Sequence, residues 1–160
     1  MLRRFAPLAL VLLGAVAVAA LAVGLAIGGG ADAGIIDPGE FVRYGAPITA
    51  LASNLAAALT LGTLVLVCFG LSKSEPEFER AMRLAAWAAA VWTLANIAAG
   101  ILSFAELIGA ELRADESFGA GLWQFITTTE PGTAWGLSTA FAALVSIIVT
   151  IARGWWPLAL

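Results

Sequence analysis

The sequence has no histidine, one cysteine (Cys68) and, apart from Met1, one methionine (Met82). That removes internal disulfides, haem ligation through imidazole, histidine proton relays and the usual zinc sites. Cu(II) favours imidazole and Cu(I) takes two or three thiolate or thioether ligands, so Cys68 and Met82 alone are too few to hold copper. They read instead as a small apolar thiol and a gap-filling thioether. Charge is scarce as well: 12% of 160 residues carry it and 61% are apolar, where soluble domains have about a quarter charged. Neither a nucleophile–base pair nor a metal constellation can be assembled, so the chain is not expected to be an enzyme, and no cofactor or metal is assigned. No stretch outside the apolar runs is long enough for a separate globular module, which excludes an extramembrane nucleic-acid-binding domain.

What is abundant is uninterrupted apolar sequence. Residues 5–31, 44–72, 84–105 and 131–152 contain no charged side chain. Even the shortest, as a helix rising about 1.5 Å per residue, reaches roughly 33 Å and crosses a hydrocarbon core of about 30 Å. The expected fold is an all-α membrane protein in the lipid bilayer: one four-transmembrane-helix bundle with spans at 6–28, 46–71, 84–105 and 132–152 and short interfacial helices in the outer loops. The first run is too long for the apolar region of a cleavable signal peptide, which favours a retained helix over cleavage near Ala31-Asp32-Ala33. Arg3, Arg4, Lys73, Arg80, Arg83 and Arg153 then fall on one side of the membrane against Arg43 and Arg113 on the other. By the positive-inside rule both termini of this multi-pass chain are expected in the cytoplasm. The outer loops are acidic, a property that solubilises loops as readily as it serves a ligand. After Arg153-Gly154, the Trp155-Trp156-Pro157 run reads as the opening of a fifth helix near residue 155, cut short, or as an interfacial tail.

Asp37-Pro38-Gly39-Glu40 predicts an N-cap, a first-position proline and a reciprocal Glu, opening a short interfacial helix before Pro47 bends the chain into the second span. Ser74 to Glu77 repeats the capping pattern, so the third span should begin near Glu75. Phe118, Leu122, Phe125 and Ile126 share one helical face, with Trp123 alongside, and predict another interfacial helix. Within the spans, small residues must let backbones approach. The stripes are Ala20, Gly24 and Gly28; Ala46, Ala50, Asn54, Ala58 and Gly62; Ala89, Thr93, Asn96, Gly100 and Ser103; and Gly136, Ala140, Ala143, Ser146 and Thr150. The intramembrane polar candidates are therefore Asn54 and Asn96, expected to hydrogen-bond across the bundle, with contact to a solute as the alternative, and Glu106 at the outer end of the third helix within reach of Arg113. No ionisable residue lies inside a span, so a proton or ion pump confined to this chain is not expected.

Asp37-Pro38-Gly39, Arg43-Tyr44-Gly45, the run Leu51 to Gly62 and above all Phe125-Ile126-Thr127-Thr128-Thr129-Glu130-Pro131-Gly132-Thr133-Ala134-Trp135 resemble the N-terminal half of bacterial copper resistance protein D (CopD) family membrane proteins. The likeness is to the form fused to a CtaG-like cytochrome c oxidase assembly domain. The resemblance runs from about residue 6 and implies a scaffold portion of a copper transport, resistance or oxidase copper-supply protein. It also implies further transmembrane helices or the CtaG-like domain as partners. Such proteins carry their histidines in later helices, so no ligand is carried over to this chain. The competing expectation is an accessory structural subunit packing against a respiratory membrane complex, with no metal role.

Overall fold

The computed structural model describes residues 38–72, 76–109, 112 and 115–155, with backbone only from 153, and single helical residues at 16, 18, 19, 22 and 23. The described residues form four helices: α1 (Glu40–Phe69), α2 (Pro76–Ile108), α3 (Glu116–Thr128) and α4 (Glu130–Trp155). Three of them, α1, α2 and Glu130–Ala152 of α4, are long and apolar enough to cross a membrane. They overlap the runs expected at 46–71, 84–105 and 132–152, with α1 beginning six residues earlier and α2 extending beyond its run at both ends. The span expected at 6–28, the cleavage question, the helix expected near residue 155 and the Glu106–Arg113 pairing lie outside the described residues.

The start of α1 departs from expectation. Gly39 is its N-cap, at φ 87°, and makes no side-chain cap bond; Pro38 therefore precedes the helix instead of opening it. Only glycine adopts that dihedral at no steric cost, and it sets the first turn at Glu40, whose charge suits the helix N-terminus. There is no separate interfacial helix before Pro47, which lies inside one continuous α1. Proline withdraws one amide from the ladder, and the Thr49 hydroxyl donates to the carbonyls of Gly45 (2.8 Å) and Ala46 (3.0 Å) beside it.

α2 opens on Pro76 with Glu77 and Glu79 in its first turn and closes at Gly109, where φ is 61° and the amide donates to Glu106 O. α3 is the helix expected from the Phe118 face. Its N-cap is Asp115, which accepts from the Phe118 amide at 2.7 Å, a signal the sequence reading passed over.

α2 is the centre of the arrangement, with α1, α3 and α4 all packed on it. The α1–α2 pair is antiparallel: Val42 and Ala46 near the start of α1 cluster with Leu102 and Ala105 near the end of α2. Ala56 of α1, Trp92 of α2 and Ala142 of α4 meet further along. The buried side of α1 is Val42, Ala46, Ser53, Ala56, Thr60, Thr63 and Val67, which recurs at alternating three and four residues, the period of helices wrapped at a shallow angle. The stripe expected at strict steps of four is not that face. Each such step rotates about 40° past a 3.6-residue turn, so Ala46 is buried while Asn54, Ala58 and Gly62 are exposed.

Candidate functional site

The intramembrane polar residues converge on Asn96. At about 1.5 Å per residue, Asn96 sits roughly 18 Å from the Ile108 end of α2, near the middle of a core about 30 Å thick. Its Oδ1 accepts from Ser53 Oγ of α1 at 3.1 Å. Its Nδ2 donates to Thr139 Oγ1 of α4 at 2.8 Å and to Ser138 Oγ at 3.4 Å. One carboxamide therefore joins all three long helices. Asn54, expected as its partner, is exposed; the neighbouring Ser53 is 5% exposed and supplies the bond from α1. Geometry decides between them, because Ser53 falls on the buried three-and-four period and Asn54 is the next position round the helix.

A second bond lies one turn along. The indole Nε1 of Trp135 donates to the backbone carbonyl of Asn96 at 2.7 Å. The helix ladder already pairs that carbonyl with the Gly100 amide, and a side chain at 100 would normally cover it. A Cβ on Gly100 would fall inside the Trp135 ring, so the missing side chain is what admits the indole. Trp92 and Phe141 continue the seam edge to face, with ring centroids 6.2 Å apart.

The corner between α3 and α4 delivers Trp135 to its notch. Thr129 Oγ1 donates to Phe125 O at 2.7 Å and accepts from the Gly132 amide at 3.1 Å, closing one helix and opening the next. A Cβ on Gly132 would collide with the Phe125 carbonyl. Thr133 Oγ1 donates back to Ile126 O at 3.0 Å, and Phe104 of α2 stacks against Phe118 and Phe125 at 5.2 and 5.3 Å. The Phe125-to-Trp135 segment is thus a hydrogen-bonded corner in which Phe125, Thr129, Gly132, Thr133 and Trp135 each have a mechanical reason.

Thr60, Thr63 and Thr93 donate to carbonyls one turn back in their own helices, a bonding mode that leaves little to offer a solute. Glu106 is exposed at the end of α2, Cys68 is exposed and Met82 is half-buried. Among the described residues, no three of the His, Cys, Asp or Glu side chains gather where they could hold a metal ion. Nor does any buried side-chain nitrogen or oxygen lack a hydrogen-bond partner there.

These features define a helical membrane protein whose spans are held by uncharged side-chain hydrogen bonds around one central asparagine. Residues 41–160 match the family model described as copper resistance protein D-like, N-terminal domain, and the chain belongs to that family. Comparisons with curated proteins and with solved structures gave no match. The match begins after Asp37-Pro38-Gly39 and includes Arg43-Tyr44-Gly45, the Leu51 to Gly62 run and the whole α3–α4 corner.

Proposed function

We propose that the chain is the integral membrane scaffold portion of a copper transport, resistance or cytochrome oxidase copper-supply protein in a bacterial plasma membrane. The observation that supports this reading is the family match, which takes in all three described spans. In this reading residues 6–28 form a fourth span, both termini face the cytoplasm, and α3 lies at the outer surface. Its Phe118 and Phe125 turn inward against Phe104 while Trp123 is exposed, as suits a helix at a membrane interface. Copper is cargo, and its ligands belong to further helices or a CtaG-like partner domain. Cys68 and Met82 do not suffice, so the purified chain is expected to retain no stoichiometric Cu(I) against a competing chelator.

Deleting the gene and following cellular copper, copper tolerance and oxidase activity tests the proposal. Altered copper tolerance, or an oxidase defect repaired by added copper, is expected. An oxidase defect that copper does not repair, with cellular copper unchanged, would replace the reading with that of an accessory subunit of a respiratory complex. Orientation is tested separately by labelling cysteines placed at Ser74 and Ser117 from outside intact cells, with Ser117 expected to react and Ser74 to be protected.

A further inference from the structure

The uncovered side of α2 has a graded chemistry. Arg80, Arg83, Trp87, Val91 and Leu94 recur at steps of three and four, so they share one face of the helix. All five are exposed, Trp87 by 68% and Leu94 by 69%. Arg83 is the last charge before the uncharged run 84–105, which sets it at the membrane surface. At about 1.5 Å per residue, Trp87 lies about 6 Å deeper and Leu94 roughly 16 Å deeper, while Glu79 stands one turn above Arg83, toward water. The side chains of Glu79, Arg80, Arg83 and Trp87 make no hydrogen bond or ion pair with a described residue. Two guanidinium groups, a carboxylate and an indole N–H are thus open to an outside partner, and the bilayer is what surrounds them. An exposed Glu–Arg pair one turn apart is weak in any case, so little is given up when each engages a lipid.

Charge decides which lipid. Residues 73–83 hold Lys73, Arg80 and Arg83 against Glu75, Glu77 and Glu79. These sum to zero and offer an anionic lipid no net attraction. What remains is their order along α2: carboxylate outermost, guanidinium groups next, indole below them, aliphatic side chains deepest. A phospholipid that ends in an ammonium presents the complement, with cation above phosphate, phosphate above ester carbonyls and acyl chains beneath. We propose that this face of α2 is a binding site for phosphatidylethanolamine. Arg80 and Arg83 donate to the phosphate, which suits the forked geometry of guanidinium. The Glu79 carboxylate accepts from the ammonium. Trp87 Nε1 donates to an ester carbonyl, at the depth where tryptophan anchors membrane helices, and Val91 and Leu94 lie along an acyl chain. The inference rests on α2 crossing a membrane and needs neither a role in copper handling nor a particular orientation.

The test is native mass spectrometry of the purified 160-residue chain in detergent, titrated in turn with phosphatidylethanolamine, phosphatidylcholine and phosphatidylglycerol of identical acyl chains. The first should be retained most tightly, because choline has no N–H to donate to Glu79 and phosphatidylglycerol brings no cation. Replacing Arg80→Gln and Arg83→Gln should weaken its retention about five-fold for each arginine. Glu79→Gln should weaken it about two- to five-fold and erase its lead over phosphatidylglycerol. Leu137→Ala, at an exposed position of α4, should leave retention unchanged. A Val42→Cys, Ala105→Cys pair on a Cys68→Ser background should still cross-link in every variant, showing the α1–α2 pairing intact. Tighter retention of phosphatidylglycerol, lost with the arginines, would overturn the amine recognition in favour of an anionic lipid. Equal retention of all three lipids, unchanged without the arginines, would overturn the site and leave an ordinary lipid-facing surface. Equal competition by glycerophosphoethanolamine, which has the headgroup and no acyl chains, would overturn it in favour of a soluble ligand.

Discussion

The two seams of α2 are built differently. Toward α1 the buried side runs from Val42 to Val67, with Val42 and Ala46 packed on Leu102 and Ala105 of α2, and Ser53 donates across it to Asn96. Toward α4 the buried residues are fewer, with Gly132, Ala142 and Val149 spaced along the helix, and three bonds cross: two from the Asn96 carboxamide and one from the Trp135 indole. Lipid is as apolar as a helix face, so close packing and hydrogen bonds must supply the association. A long seam of small residues works by dispersion spread over many atoms. A shorter one gains its geometry from directional bonds.

The sharpest way to break the comparison is Gly100→Leu. The new side chain occupies the volume of the Trp135 ring and expels the indole from the Asn96 carbonyl. Overpacking costs about 1–3 kcal/mol and a lost hydrogen bond about 1 kcal/mol more. Reversible unfolding in mixed micelles should report a loss of about 3 kcal/mol, with α1–α2 cross-linking between Val42→Cys and Ala105→Cys retained while α4 loosens. If α1 came away together with α4, the two seams would not be independent.

Next in size is Asn96→Leu, which removes three side-chain bonds and touches both seams. At about 0.6 kcal/mol for an average membrane hydrogen bond, the expected loss is about 2 kcal/mol. Trp135→Phe is milder, because the ring still fills the notch and only the indole donor goes; about 1 kcal/mol is expected. Unfolding of the two variants side by side separates filling from bonding at the α2–α4 seam. A Trp135→Phe loss as large as that of Gly100→Leu would mean that the hydrogen bond, and not the ring, holds α4.

The existence of apolar helices was legible because Arg43, Lys73, Arg83, Glu106, Glu130 and Arg153 bracket the apolar runs, although α1 begins before Arg43 and α2 extends past both Arg83 and Glu106. The α3 face was legible for the same kind of reason, since Phe118 and Phe125 are spaced to reach Phe104 together. Of the α2 stripe, whose steps alternate between four and three, Ala89 and Gly100 are buried and Thr93 and Asn96 half-buried, while Ser103 is exposed. Those on α1 and α4 were misplaced, and smallness was the wrong guide. A close approach needs a small residue on one side only: Gly100 on α2 is met by Trp135 on α4. The residues of α4 that meet α2 are Trp135, Thr139 and Ala142, with Ala140 exposed and Gly136, Ala143 and Ser146 half-buried. A tryptophan read alone looks like an interface anchor, and its role here depends on a glycine in another helix. The Asn96–Ser53–Thr139 bonds were likewise out of reach of sequence, because no local signal says which of two adjacent polar residues, Ser53 or Asn54, turns inward.

The smallest expected effect tests that last choice most closely. If Ser53 and not Asn54 pairs with Asn96, then Asn54→Leu and Asn96→Leu act on separate bonds, and their costs within the α1–α2–α4 unit should add with a coupling inside about 0.5 kcal/mol, as independent sites do. Ser53→Ala and Asn96→Leu share one bond at 3.1 Å, so their double-mutant cycle should show a coupling near 0.6 kcal/mol and no more than about 1.7 kcal/mol. Both cycles use the same unfolding measurement and differ by a single position on α1. Coupling in the Asn54 cycle with none in the Ser53 cycle would rotate α1 by one residue about its axis. That rotation would put Asn54 in the place of Ser53 and turn Ala57 and Leu61 toward α2 in place of Ala56 and Thr60.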